Sequence, residues 1–157
     1  MNQKQMERNF SKNLKALGKA YPDAEESIDR SIKAIREAER YLADDCKVRI
    51  SASVPLYDAE LTGKGYSKAD TLAYEPVRGK WRIAARFARR PGFPVVYEAM
   101  SKPLKAIVVA AAPRLLSELY DHVVSITMIA DAGATGVENK LSAMKAARGQ
   151  KMLATSS

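Results

Sequence analysis

The sequence predicts an α+β fold, in which an antiparallel β-meander of three to five strands is flanked by an N-terminal helix and a C-terminal helical pair. Apolar and polar residues alternate from Lys80 to Phe87, with Trp81, Ile83 and Ala85 on one side of the chain. An alternation of period two is typical of a strand with one buried face. Apolar residues at helical spacing precede and follow this region, which places helices on both sides of the sheet.

Two further strands are predicted next to this one by turn residues and alternation. Pro76 to Gly79 separates the preceding apolar segment from Lys80, and Arg90-Pro91-Gly92 leads into a segment from Pro94 to Tyr97. A fourth strand is predicted from Cys46 to Val54, where apolar residues again alternate with polar ones. Together these segments form the meander.

The first twenty residues predict a basic amphipathic helix that ends near Gly18. Such a helix can lie on a membrane surface, bind nucleic acid, or dock on its own domain. A second helix is expected to begin at Tyr21-Pro22-Asp23, since Asp23 and Glu26 fit a reciprocal capping pattern. The apolar stripe of the first segment consists of Met6, Phe10, Leu14 and Leu17.

The region after Ser101 predicts helices, because apolar residues from Leu104 onwards recur at near-heptad spacing. Pro113 removes a backbone donor, so we expect a kink or two helices. The segment 123–129 is apolar almost all round and rich in β-branched residues, and its spacing leaves helix and strand both open. Gly133 to Gly136 reads as a linker, which divides the chain into a basic segment (1–20), one α+β domain (21–132) and a linker with a basic tail (133–157).

Composition restricts the classes of protein. The chain has 157 residues, a formal net charge of +8, one cysteine (Cys46) and one histidine (His122). An intrachain disulfide and a Cys/His zinc site within one chain are therefore excluded. The sequence predicts no signal-peptide core and no transmembrane segment, so we expect a cytoplasmic protein.

The catalytic patterns that could be recognised in one sequence are missing. His122 lies in an apolar segment, no serine sits in a nucleophile-elbow pattern, and Gly63-Lys64-Gly65 lacks the remainder of a P-loop. We therefore predict a small binding or accessory module rather than an enzyme, with no catalytic residue, no metal and no cofactor.

The main hypothesis for its partner is nucleic acid, or an acidic protein, on the outer face of the sheet. The segment 78–90 carries six basic residues and no acid, and basic side chains of the strand 46–54 are expected to extend the same face. Such a face would contact phosphates without sequence specificity. The predicted binding residues are Lys47, Arg49, Arg78, Lys80, Arg82, Arg86, Arg89 and Arg90.

The alternative hypothesis is a protein–protein adaptor or inhibitor that acts through the apolar helix 114–132, either alone or as the seam of a homodimer. An apolar helix with more than one apolar face needs a larger covering surface than one domain usually offers. The residues predicted to form this interface are Val123, Ile126 and Ile129.

Overall fold

The computed structural model describes residues 2–155, without the side chain of Ala59. Met1, Ser156 and Ser157, which belong to the predicted terminal segments, lie outside these residues. The elements in chain order are α1 (Gln3–Arg40), a π-helical turn (Tyr41–Asp45), β1 (Ala52–Pro55), α2 (Ala59–Gly63), β2 (Thr71–Val77), β3 (Lys80–Arg86), β4 (Val95–Val96), a 3-10 turn (Tyr97–Ala99) and α3 (Lys102–Thr155).

The sheet is a four-stranded antiparallel meander in the order β1-β2-β3-β4, as the sequence predicted. Strands β2 and β3 pair along their whole length, from Thr71 opposite Arg86 to Val77 opposite Lys80. The two residues between them, Arg78 and Gly79, have φ angles of 50° and 80°. Positive φ at both central residues is the requirement of the hairpin turn that matches the twist of paired strands.

The core lies between one face of the sheet and the two long helices. From the sheet it takes Leu72, Tyr74, Ile83 and Ala85, all of which are buried. The predicted facing of β3 is therefore confirmed, although Trp81 is only half-buried at the margin, against the ring of Tyr74. The helices and loops complete the buried cluster with Ile35, Leu56, Tyr97, Met100, Val108, Ala111, Ala112, Leu115 and Leu119.

Helix α1 is one continuous helix, and the predicted end at Gly18 is wrong. Asn2 caps the helix by accepting a hydrogen bond from the backbone N–H of Lys4 at 2.8 Å. Pro22 lies inside the helix, where it removes one backbone donor without ending the helix. Only the C-terminal part of α1 enters the core, since every residue from Asn2 to Ser27 is exposed.

The predicted strand from Cys46 to Val54 is too long, because pairing begins only at Ala52. Lys47 has a φ of 53°, which interrupts any extended run at its start. Val48 and Ile50 still pack against the core as their alternation indicated. The prediction of which side chains of this segment point to the core was therefore correct. The prediction that the segment pairs with the sheet along its whole length was not.

Helix α3 is also continuous, so the predicted C-terminal helical pair is wrong. Pro113 lies within it, and its neighbours Ala111, Ala112 and Leu115 are buried in the core. Burial on both sides of Pro113 offsets the loss of one hydrogen bond and keeps the two halves in one helix.

Two compact units divide the chain, Met1–Leu119 and Tyr120–Ser157. The first contains the sheet, α1 and the part of α3 that enters the core. The second is helical as far as Thr155, which includes the segment 123–129 and the predicted linker from Gly133 to Gly136. The division into 1–20, 21–132 and 133–157 stays a prediction.

One polar contact fixes α1 against the end of the sheet. The hydroxyls of Ser31 and Tyr97 form a short buried hydrogen bond, and Ser31 also donates to the carbonyl of Ile28 at 2.7 Å. Tyr97 is fully buried in the 3-10 turn that follows β4. Because a buried hydroxyl without a partner is destabilising, this pair selects one position of α1 along the sheet.

Candidate functional site

The outer face of the sheet carries an ion pair that spans two alanines. The Nε of Arg86 donates to Glu75 at 2.6 Å. Between these residues lies the cross-strand pair Ala73 and Ala84, and both alanines are buried although they face away from the core cluster. Their small side chains leave room for the two long side chains to meet above them. The ion pair therefore covers the middle of the face that was predicted to be open and basic.

Arg82, the central residue of the predicted nucleic-acid site, is held by two carboxylates. Its Nε donates to Glu39 of α1 at 2.7 Å, and its Nη2 donates to Glu98 at 2.5 Å. Only 25% of the Arg82 side chain is exposed. The segment 78–90 has no acid of its own, but tertiary contacts bring three carboxylates to its two central arginines. Sequence spacing gave no signal for these partners.

Glu39 also completes the hydrogen bonding of the sheet. Its second oxygen accepts from the backbone N–H of Ile83 at 3.2 Å, at a position of β3 that β4 does not pair. Burial raises the pKa of Glu39, and the nearby Arg82 and the Ile83 N–H only partly oppose this rise. A carboxylate of α1 thus accepts a hydrogen bond from β3 at the part of its edge that β4 does not cover.

Glu98 has the opposite shift. Burial acts to raise its pKa, but a backbone hydrogen bond and the charge of Arg82 outweigh burial and lower it. For Arg82, burial acts to lower the pKa, whereas Glu39 and Glu98 raise it. Arg82 consequently stays charged and is held as a structural cation between helix and sheet.

The other predicted phosphate contacts are distributed over several places. Arg49 donates to the carbonyls of Ala43 and Val48, and its guanidinium lies 5.9 Å from the ring centre of Trp81. Arg49 therefore lies beside the ring of Trp81, and it lines a cavity of about 570 Å³ together with Lys80 and Arg82. Its place in a basic binding face stays a prediction. Lys47 precedes the paired part of β1 and is exposed. The remaining exposed cations are Arg78, Lys80, Arg89 and Arg90.

A groove of about 830 Å³ lies along the outer face of β3. One wall carries Lys80, Arg82 and Arg86, and the other is formed by the chain from Gly92 to Val96. Phe93 lines this groove and is 82% exposed. Trp81 and Phe87 were both predicted to face the core, so no aromatic side chain was predicted on the outer face. A single phenylalanine in a loop belongs to no alternating or helical pattern, so the sequence does not indicate which face of the sheet it lies on.

The three residues of the predicted apolar interface lie in α3, and none belongs to the buried core. Val123 is half-buried, Ile126 is 48% exposed and Ile129 is 69% exposed. We call the exposed apolar residues of this part of the helix the α3 apolar surface: Tyr120, Val124, Ile126, Met128, Ile129, Val137, Leu141 and Met144.

A second exposed apolar stripe lies on the first helix. Phe10 is 66% and Leu14 is 53% exposed, and we call Met6, Phe10, Leu14 and Leu17 the α1 stripe. Lys4, Arg8, Lys12, Lys15 and Lys19 occupy other positions of the same segment. The nearest tertiary contact is at its end, where the Nζ of Lys102 donates to the hydroxyl of Tyr21 and to Glu25, both at 2.8 Å.

Other kinds of site find little support in the part of the chain that the structure describes. Between residues 2 and 155, no group of three or more His, Cys, Asp or Glu side chains is placed to hold a metal ion. Among the described helices, none is both long and apolar enough to cross a membrane. The chain matches no protein-family model, no curated protein and no solved structure.

Proposed function

We propose that the protein is a binding module that assembles with other copies of itself through the α3 apolar surface. The observation that carries this proposal is the set of large apolar side chains beyond Leu119, the last buried residue of α3. Tyr120, Met128 and Ile129 are each more than two-thirds exposed. An apolar surface of this extent on a helix favours burial against another polypeptide.

Burial of these side chains would release a substantial free energy. Covering one leucine- or isoleucine-sized side chain contributes about 1.5–3 kcal/mol relative to leaving it in water. Several such residues on one helix are enough to offset the entropy lost on association, which amounts to roughly 4–15 kcal/mol. A helix surface therefore suffices, and no catalytic group is required.

Sedimentation velocity over a wide range of protein concentrations tests this proposal. We expect the wild type to form concentration-dependent oligomers and Ile126→Asp/Ile129→Asp to remain monomeric at the same concentrations. Both residues lie outside the core, so the thermal unfolding of the sheet should be unchanged. Arg114→Asp, at an exposed position of α3 before the apolar surface, is the control for a change of charge. A wild type that stays monomeric throughout would refute the proposal.

The groove on the outer face supports a second candidate function, the binding of nucleic acid without sequence specificity. The observation that favours it is the exposed ring of Phe93 in a groove that Arg78 and Lys80 also line. Base stacking on one aromatic ring contributes about 1–3 kcal/mol and does not depend strongly on the base. Cations beside the ring would contact the phosphates.

Fluorescence anisotropy with single-stranded oligonucleotides at two salt concentrations tests this second function. Phe93→Ala and Lys80→Glu should each weaken binding, and the salt dependence should decrease only for Lys80→Glu. Lys33→Glu, on the exposed surface of α1, provides a control with the same change of charge. Arg82 and Arg86 are unsuitable for this test because both already form ion pairs. Equal binding by wild type, Phe93→Ala and Lys80→Glu would exclude the groove.

A further inference from the structure

We propose that the α3 apolar surface of one copy is covered by the α1 stripe of a second copy. This inference rests on the proposed self-association and names the segment that acts as partner. Both surfaces are helical and both are exposed over most of their apolar side chains.

Charge distinguishes this partner from a second copy of the same surface. Residues 3–21 carry five basic side chains and one carboxylate, Glu7. Residues 120–144, which span the α3 apolar surface, carry three carboxylates, Asp121, Asp131 and Glu138, and one lysine, Lys140. Two α1 segments brought together would bring like charges together, and so would two α3 segments. Of these three pairings, only that of α1 with α3 joins segments of opposite net charge.

The spacing of the apolar residues is compatible with packing of one helix on another. In the α1 stripe the steps are four, four and three residues, from Met6 to Leu17. In α3, Ile126, Ala130, Gly133, Val137, Leu141 and Met144 follow one another at steps of four, three, four, four and three residues, and the four large side chains among them belong to the α3 apolar surface. Steps of three and four keep apolar side chains on one side of each helix over several turns.

The same stripe continues into the established core. The positions that follow it along α1 at this spacing include Ile28, Ser31, Ile35 and Leu42, and these are buried or half-buried in the domain. The side of α1 that enters the core in its C-terminal half is thus exposed in its N-terminal half.

The charged residues of α1 lie mainly away from the apolar stripe, on the opposite side of the helix. Their contribution is therefore a long-range attraction between two helices of opposite charge, and the apolar contact supplies most of the affinity. Two different results are therefore expected from the two kinds of substitution. Apolar substitutions should abolish association, whereas charge substitutions should weaken it and do so less at high salt.

The decisive experiment exchanges charges between the two helices. In one variant, Lys12→Glu/Lys15→Glu makes α1 acidic. In a second, Asp121→Lys/Asp131→Lys makes the α3 segment basic. All four positions are exposed, so both variants should keep the wild-type circular dichroism and unfolding midpoint.

Each variant alone should associate more weakly than the wild type, by about tenfold or more in the dissociation constant at low salt. An equimolar mixture of the two variants should recover association, because the acidic α1 of one meets the basic α3 of the other. Leu14→Asp should abolish self-association as completely as Ile126→Asp. Sedimentation velocity measures all of these species, with the variants labelled separately in the mixture.

The outcomes separate this inference from the function on which it rests. Loss of association in Ile126→Asp, with no effect of Leu14→Asp and no recovery in the mixture, would retain self-association through α3 and overturn the pairing with α1. A monomeric wild type would overturn both. Recovery in the mixture, together with loss in Leu14→Asp, is the result expected if α1 is the partner segment.

Discussion

Glu75 forms its ion pair with Arg86 and not with Arg82, the residue directly opposite it on β3. The register pairs Glu75 with Arg82, yet the Nε of Arg86 donates to Glu75 at 2.6 Å. Arg82 instead donates to Glu39 and Glu98. Since Ala73 and Ala84 separate the two members of the Glu75–Arg86 pair, the arrangement depends on small side chains at those positions.

The first prediction concerns the alanines beneath this ion pair. Ala84→Val should destabilise the fold by about 1–3 kcal/mol, because the added methyl groups have to displace the side chains above a fully buried position. The measurement is the urea-unfolding midpoint followed by the fluorescence of Trp81, the single tryptophan.

Ser53→Val provides the matched control on the same face of β1. Ser53 lies opposite Ala73 but is exposed, so a β-branched residue fits there without displacing a neighbour. We expect its stability to remain within about 0.5 kcal/mol of the wild type. Equal destabilisation by both substitutions would mean that Ala84 is not covered by the ion pair.

The second prediction uses the opposite pKa shifts of Glu39 and Glu98. A raised pKa makes Glu39 stabilising at low pH, and this contribution is lost as pH rises through the pKa of the folded state. A lowered pKa makes Glu98 stabilising above its unfolded pKa, and that contribution is lost as pH falls through the folded value. Glutamine at either position stays neutral at every pH.

Urea unfolding at several pH values on both sides of 4.5, the ordinary pKa of a glutamate, measures these contributions. Wild-type stability should fall relative to Glu39→Gln as the pH rises. It should fall relative to Glu98→Gln as the pH decreases. Glu60→Gln, whose carboxylate is exposed in α2, serves as the reference. Slopes of the same sign for both variants would contradict the assigned shifts.

The third prediction concerns the hairpin turn between β2 and β3. Gly79 has a φ of 80°, so Gly79→Ala should destabilise the protein by about 1 kcal/mol or more even though the added methyl group meets no neighbour. Arg78→Asn should stabilise it slightly, because asparagine adopts positive φ more readily than arginine. Thermal unfolding of the two variants should therefore shift in opposite directions.

The fourth prediction concerns Pro22 and Gly18 of α1. Proline at position 22 leaves the carbonyl of Gly18 without its helical donor, and Gly18 itself has a low helix propensity. No atom would meet a methyl group added at Gly18. Pro22→Ala and Gly18→Ala should both slow amide hydrogen exchange in residues 3–21. The unfolding midpoint reported by Trp81 should stay constant, since these residues contribute nothing to the core.

The sequence predicted the sheet well because period-two alternation records which side of a strand is buried. The facing of β3, the antiparallel order and the turn before Lys80 all follow from this signal. It failed for the helix ends, where Gly18, Pro22 and Pro113 are usual signs of termination. Helical hydrogen bonds on either side of each residue, and burial around Pro113, outweigh that local preference.

The candidate site was less accessible to sequence reasoning, because its charges are neutralised by distant residues. Arg82 meets Glu39 from a helix 43 positions earlier in the chain and Glu98 from beyond β4. The spacing of residues around Arg82 in the sequence does not indicate either of these distant partners. The segment 123–129 was left open between helix and strand, since β-branched residues such as Val123 and Ile126 suit both, and the structure places it in α3. Its role as an interface stays a prediction.

The position of Leu119 has a consequence for synthesis of the protein. It is the last residue of the buried core along the chain, and the α3 apolar surface follows it. A growing chain contains every core residue before most of that surface has been translated, and domains generally fold as units during synthesis. The nascent domain can thus complete its core first, and the α3 apolar surface becomes exposed only at the end of synthesis. Premature association between unfinished chains is thereby limited by the order of the sequence itself.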